Sequence, residues 1–236
     1  MDLKNAAVLV TGASCGIGFE TARWLRARGA RVAICARHEG ELEKAAKEIG
    51  ALPIVADVSK EDDVLRMVAA VIKEYDDYNV LVNNAGFGSF HPLVELTSDE
   101  FFRVWRTNVL GAMMVARESA KHFTGRNYGN IVNLSSTAGQ RGFENGTAYC
   151  ASKFALNAMT ECWRAELRQH NIRVMQVNPS EVITSFGEPS SSPTPAKPDN
   201  PSKLHGSDIA QLIVTMLEMD DRGFVAESTI WATNPK

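Results

Sequence analysis

Short apolar runs alternate with longer amphipathic stretches along this chain. The apolar runs fall at 6–12 (AAVLVTG), 31–36 (RVAICA), 51–57 (ALPIVAD), 79–86 (NVLVNNAG), 129–136 (GNIVNLSS) and 172–179 (IRVMQVNP). Val, Ile and Leu occupy both faces of these runs, which predicts parallel strands covered on two sides by helices. Helical patterns fill the intervals, at about 16–28, 39–49, 60–74, 98–122 and 147–169. Ser59 before KEDDV and Ser98 before DEFFRVW stand where N-caps are expected. Strand–helix alternation of this kind predicts βαβ units, and therefore an α/β fold built on a doubly wound parallel sheet with helices on both faces.

The pattern breaks at 185–203, SFGEPSSSPTPAKPDNPSK, where the prolines exclude a helix or a central strand. The residues beyond it read as one helix (207–219) and one short strand (228–233), too little for a second domain. The chain is therefore expected to form one domain over 1–236. The segment 185–204 is expected to hang over its edge as a mobile substrate-binding loop.

Composition narrows the function classes. Of the 236 residues 44% are hydrophobic and 22% charged, as a globular core requires. The net charge is −3 and there is no basic run, which argues against nucleic acid or an anionic membrane as partner. The first apolar run is too short for a signal peptide, and no segment has the length of a membrane span, so a cytoplasmic location is expected. Cys15, Cys35, Cys150 and Cys162 show no CxxC spacing and no accompanying histidine cluster, which reads as reduced thiols with no metal site.

The first strand runs directly into VTGASCGIGFETARWL, with Gly12, Gly16 and Gly18 between a strand and a helix. Glycine allows the close backbone approach that a pyrophosphate needs, and a helix N-terminus supplies N–H groups and positive dipole. Ser14 adds a hydroxyl donor. In this context the turn predicts dinucleotide binding on a Rossmann fold. A carboxylate ending the second strand would bind the ribose 2′-OH of NAD, but here Ala36 is followed by Arg37, whose planar fork suits a 2′-phosphate. NADP(H) is therefore expected in preference to NAD(H), although Cys15 leaves the turn without a second basic residue.

Tyr149 and Lys153 lie four apart in TAYCASKFAL, hence on one face of a helix. Free tyrosine has a pKa of about 10, and an ammonium about 4 Å away contributes roughly 4 kcal/mol at an effective dielectric of 20, enough to bring it towards neutrality. The order TGxxxGxG, NNAG at 83–86, SS at 135–136, YxxxK at 149–153 and NP at 178–179 resembles the classical short-chain dehydrogenase/reductases, over residues 5 to about 184. That resemblance implies a catalytic set of Asn108, Ser136, Tyr149 and Lys153. Tyr149 would give or take the proton at the substrate oxygen and Ser136 would hydrogen-bond that oxygen. Lys153 would lower the tyrosine pKa and hold the nicotinamide ribose, while Asn108 would position a relay water. It also implies cofactor contacts from Gly12, Ser14, Gly16, Ile17, Gly18, Arg37, Asp57, Val58, Asn84, Ala85, Gly86, Tyr149, Lys153, Pro179, Val182 and Thr184.

Two positions depart from the family pattern: Ser180 replaces the glycine usual after Pro179, and Cys150 follows Tyr149. The expected activity is hydride transfer between NADP(H) and a small carbonyl or secondary alcohol. A non-catalytic cofactor sensor and an epimerase or dehydratase of the same fold are the alternatives. The apolar faces of 98–122 and 147–169 imply, by the same resemblance, a homodimer or homotetramer. TAGQRGFEN (137–145) and Phe87 to Phe90 are expected to wall the substrate pocket.

Overall fold

The computed structural model describes residues 1–184, 200 and 202–234. The expected loop at 185–204 falls mostly outside the described residues. Nine strands occur along the described chain: β1 (Ala7–Thr11), β2 (Arg31–Ala36), β3 (Leu52–Val55), β4 (Val80–Asn83), β5 (Gly129–Leu134), β6 (Ile172–Pro179), β7 (Val182–Ile183), β8 (Leu204–His205) and β9 (Glu227–Ile230). Seven of them form one parallel sheet that organises the molecule, in the order β3-β2-β1-β4-β5-β6-β9. The other two, β7 and β8, pair in a separate ladder that the sequence pattern did not foretell. The helices are α1 (Gly16–Ala27), α2 (Glu39–Ile49), α3 (Glu61–Glu74), α4 (Ser98–Trp105), α5 (Ala112–Arg126), α6 (Thr147–Leu167) and α7 (Gly206–Glu218).

Successive strand residues point to opposite faces, and each face has its own core. Val8, Val10, Val32, Ile34, Val80 and Val82 pack with Leu25 of α1, Leu42 of α2 and Ile209 and Ile213 of α7. Leu9, Ala33, Leu81 and Ile131 face the other way, against Val64 and Met67 of α3 and Met114, Val115 and Phe123 of α5. Full burial of such side chains stabilises by about 1.5–3 kcal/mol each before entropy is counted. This two-sided burial is why the strands read as continuous apolar runs.

Both expected caps move by one residue. Thr97, not Ser98, caps α4: its Oγ1 accepts from Glu100 N at 3.2 Å, and the Glu100 carboxylate accepts in return from Thr97 N at 3.2 Å. At α3 the N-cap position is Lys60, and the Ser59 hydroxyl donates instead to Asp57 Oδ1 at 2.7 Å. Glu61, Asp62 and Asp63 fill the first turn of α3, where carboxylates complement the helix dipole without a hydroxyl cap. The helix expected over 98–122 is also not uniform: α4 and α5 are joined by a π-helical segment, Arg106–Gly111. Such bulges insert a residue into the ladder and occur often at functional sites.

Candidate active site

Strand order reverses between β1, which pairs with β2 on one side, and β4 on the other. Loops leaving the carboxyl ends of these strands diverge, and ligands of open α/β sheets bind in that crevice. The glycine turn after β1 and the NNAG segment after β4 meet there. Asn84 Nδ2 donates to the carbonyls of Thr11 and Gly12, both at 2.9 Å. The buried Thr11 Oγ1 accepts from the Asn84 and Ala85 N–H groups at 3.0 Å each. Thr11 was not among the expected site residues; its signal was a polar residue ending an otherwise apolar strand.

The turn has no room for side chains. Gly12 has φ +63°, and a Cβ there would lie 2.8 Å from Ala85 Cα. A Cβ on Gly18 would lie 2.5 Å from the Gly12 carbonyl oxygen. Gly16 and Ile17 open α1, whose first N–H groups have no intrahelical partner. Thr184 reaches the same turn, its Cγ2 within 3.5 Å of a Cβ built on Gly16. Ser14 is half-buried beside it. Arg37 is exposed immediately after β2 and no ion pair joins it to a described residue. Asp57, in the loop after β3, forms an Asx turn, its Oδ1 accepting from the Ser59 N–H at 3.0 Å. Val58 is buried under the π segment, 2.8 Å separating its carbonyl from a Cβ built on Gly111. These residues form a narrow, donor-rich cradle at a helix N-terminus, and its chemistry fits the pyrophosphate and ribose of a dinucleotide.

The reacting groups expected from the sequence come together at the ends of β5 and β6. Ser136 follows β5 and hydrogen-bonds Tyr149. Its Oγ also accepts from Ala138 N at 3.1 Å, capping a short 3-10 turn, and makes a long contact of 3.5 Å to the Pro179 carbonyl. Ser135 points the other way, donating to Asn157 Oδ1, as the alternation of side chains along a strand requires. Lys153 lies one turn along α6 from Tyr149 and is 5% exposed, its Nζ donating to the Leu134 carbonyl at 2.7 Å and standing 5.8 Å from the Tyr149 ring centroid.

Desolvation is the first influence on charge at Tyr149 and Lys153. Burial pushes its hydroxyl up to about 12, outweighing the downward pull of the Ser136 hydrogen bond. Burial likewise brings Lys153 down to about 8. Burial is the largest influence on both groups, and it favours the neutral form of each.

Asn108 sits in the π segment, 2% exposed. Its Oδ1 accepts from Phe87 N at 3.0 Å, and its Nδ2 donates to Phe87 O at 2.9 Å and to Ser152 Oγ at 3.0 Å. Ser152 in turn donates to the Tyr149 carbonyl at 2.7 Å. The side-chain amide thus clamps the Phe87 loop to α6. Ser180 keeps a backbone outside the left-handed region, where the only non-glycine residues among those described are Asn127, Asn145 and Asn171, and its N–H donates to Ile230 O at 2.9 Å. The missing glycine therefore imposes no strain. Cys150 is buried in a small cluster with Ala138 and Tyr149.

Aromatic residues border the tyrosine. Phe90 meets Tyr149 edge-on at 5.7 Å and Phe143 at 5.9 Å between centroids, and both phenylalanines are exposed. A cavity of about 440 Å³ adjoins them, lined among others by Thr137, Ala138, Arg141, Phe143, Ser180 and Trp231. Trp231 was not foreseen as part of this wall, since only the topology brings β9 alongside β6.

The family model for short chain dehydrogenases matches residues 6–194. The chain belongs to the short-chain dehydrogenase/reductases. It is thereby a member of an oxidoreductase family that uses nicotinamide cofactors. This short-chain dehydrogenase/reductase is 41% identical over 192 residues to an L-xylulose reductase of Caenorhabditis elegans, covering 79% of this chain and 75% of that protein. It is 31% identical over 244 residues to an NADP-dependent 3-hydroxy acid dehydrogenase of Schizosaccharomyces pombe, covering 98% and 94%. Among solved structures it is similar to an alcohol dehydrogenase of the archaeon Thermococcus sibiricus complexed with 5-hydroxy-NADP, with TM-score 0.88, 28% identity and 97% of each chain covered. A metagenomic short-chain oxidoreductase in complex with NADP gives TM-score 0.84 at 30% identity over 98% of each chain. Among the described residues no helix is long and apolar enough to cross a membrane, and no group of three or more His, Cys, Asp or Glu is placed to hold a metal ion.

Proposed function

We propose that this protein is an NADP(H)-dependent reductase of small carbonyl compounds, acting reversibly on the matching secondary alcohols. The observation that carries the reading is the Ser136–Tyr149 hydrogen bond above a buried Lys153, at the strand ends beside the glycine turn. The two NADP-complexed structures similar to it and the exposed Arg37 after β2 support NADP(H) over NAD(H). Gly12, Ser14, Gly16, Ile17 and Gly18 would hold the pyrophosphate, with Pro179, Val182 and Thr184 closing on it. Arg37 would take the 2′-phosphate, and Asp57, Val58, Asn84, Ala85 and Gly86 would flank the adenosine.

The bound nicotinamide supplies the redox chemistry; the chain supplies position and a proton. With its pKa held high by burial, Tyr149 carries its proton at neutral pH and is ready to donate it to a carbonyl oxygen. Ser136 donates a second hydrogen bond to that oxygen, fixing it against the tyrosine. Lys153 holds the nicotinamide ribose and, titrating near 8, can resupply the tyrosine. The relay role proposed for Asn108 falls to its main chain, because both Nδ2 hydrogens are spent on Phe87 and Ser152. Exposed Phe102, Leu110 and Phe154 on α4, the π segment and α6 support assembly into a homodimer or homotetramer. A single domain in a reducing cytoplasm accommodates the exposed thiols of Cys15 and Cys162. The reading is tested by following NADPH absorbance with a panel of small ketones and aldehydes. Consumption is expected with at least one of them, and none with any carbonyl would favour a non-catalytic binder.

A further inference from the structure

The cavity lined by Thr137 and Ala138, which follow Ser136 in the chain, has one cationic side chain among its described lining residues, Arg141, and the segment that carries it is tied down from two directions. Arg141 lays its guanidinium over the Trp231 ring, Cζ 5.0 Å from the centroid. One residue back, Gln140 Nε2 donates to Glu227 Oε1 and Thr229 Oγ1, both at 3.0 Å, which pins this loop to β9. From the other side, Ser180 N donates to Ile230 O and Arg141 N to Thr137 O. The arginine and the tryptophan thus come from two segments cross-linked within one or two residues of the contact.

The charges of the wall are not balanced. Glu181 also lines the cavity, but its carboxylate is engaged by Lys203. Among the described residues, Arg141 has no carboxylate partner. A guanidinium resting on an aromatic face keeps its in-plane donors free, and those donors match the two oxygens of a carboxylate. Thr137 and Ala138 share this wall with Arg141; Thr137 directly follows Ser136, and Ala138 packs in a cluster with Tyr149. A volume of about 440 Å³ suits a small ligand.

We propose that Arg141, positioned by Trp231, receives the carboxylate of the substrate, so that the preferred substrates are short oxo acids and their hydroxy acids. This rests on the carbonyl-reductase reading above and adds the substrate class to it. The test compares 2-oxobutanoate, acetoacetate and 4-oxopentanoate each with its own primary amide, in the wild type and in Arg141→Met, with NADPH. A bidentate charge-assisted pair in a partly open site gives a preference of roughly ten- to a hundredfold. For at least one chain length the wild type should therefore favour the acid over the amide by that factor in kcat/KM, chiefly through KM. Arg141→Met should bring the acid-to-amide ratio down at least tenfold, Arg141→Lys should retain part of it, and raised salt should erode it in the wild type. Equal reduction of acids and amides at all three lengths would overturn the inference, and so would an acid preference that survives in Arg141→Met. Either result leaves the reductase reading standing, since turnover is still seen; no turnover of any carbonyl would overturn both.

Discussion

Lys153 shows how one buried side chain of the candidate site bears on stability. Its pKa falls from the ordinary 10.5 to about 8 because the helix carries it out of water, where its Nζ donates to the Leu134 carbonyl. Between those two values the unfolded chain binds the proton and the folded chain releases it, so stability rises with pH there. Lysine therefore costs the fold about 3 kcal/mol at pH 7, a cost that fades as pH rises towards 10.5. Comparing Lys153→Met with the wild type isolates this term from Cys35 and Tyr149, which burial shifts up to about 12 and which act in the opposite sense at higher pH. The stability advantage of the variant, from urea denaturation, should shrink by about 1 kcal/mol between pH 8 and pH 9. A constant gap would show that the lysine is already well solvated. At this scale the sequence pattern already named the side chains that the fold brings together, Ser136, Tyr149 and Lys153. The depth of burial of Tyr149 and Lys153 was not legible there, because spacing reveals which groups are neighbours but not how much water surrounds them.

The elements place the site through backbone contacts that residue patterns only hint at. β1 and β4 are locked together by Thr11, whose buried oxygen accepts two N–H groups from the NNAG segment. Thr11→Val keeps the shape and leaves those two donors unpaired, so it should cost about 2 kcal/mol or more and loosen cofactor binding through the displaced turn. A change within about 0.5 kcal/mol, the usual range for an inconsequential substitution, would contradict that assignment. Strands and helices were legible to within a few residues because both faces of the sheet are covered and the period is unambiguous; β6 matches its expected span, Ile172–Pro179, end to end. The N-cap at Thr97 was missed by one residue because Ser98 carries the same chemistry. The π segment was invisible, since RTNVLG has no composition that distinguishes it from an ordinary helical turn. Its reason lies in tertiary contacts: Gly111 packs on the Val58 carbonyl and Asn108 clamps Phe87 to α6.

Across the whole molecule, the parallel order β3-β2-β1-β4-β5-β6-β9 gathers the glycine turn, Arg37, Asp57 and the candidate catalytic set at one edge, although they are spread from residue 12 to residue 153. Binding at that edge should stabilise the folded chain by mass action. NADPH should therefore raise the melting temperature more than NADH at equal concentration, and Arg37→Met should narrow the difference; equal shifts in the wild type would reverse the cofactor assignment. Trp231 lies outside the family match yet reaches the cavity wall, because the last strand pairs beside β6, a neighbourhood no local pattern encodes. The measurement that bears most directly on the proposed chemistry is single-turnover reduction of an accepted carbonyl by Tyr149→Phe with NADPH prebound. Phenylalanine preserves the ring packing against Phe90 and removes only the proton donor. Reduction should fall by about a hundredfold or more, as loss of a general acid implies, while NADPH affinity stays within a few-fold of wild type. Carbonyl reduction at the wild-type rate in that variant would contradict the assignment of Tyr149.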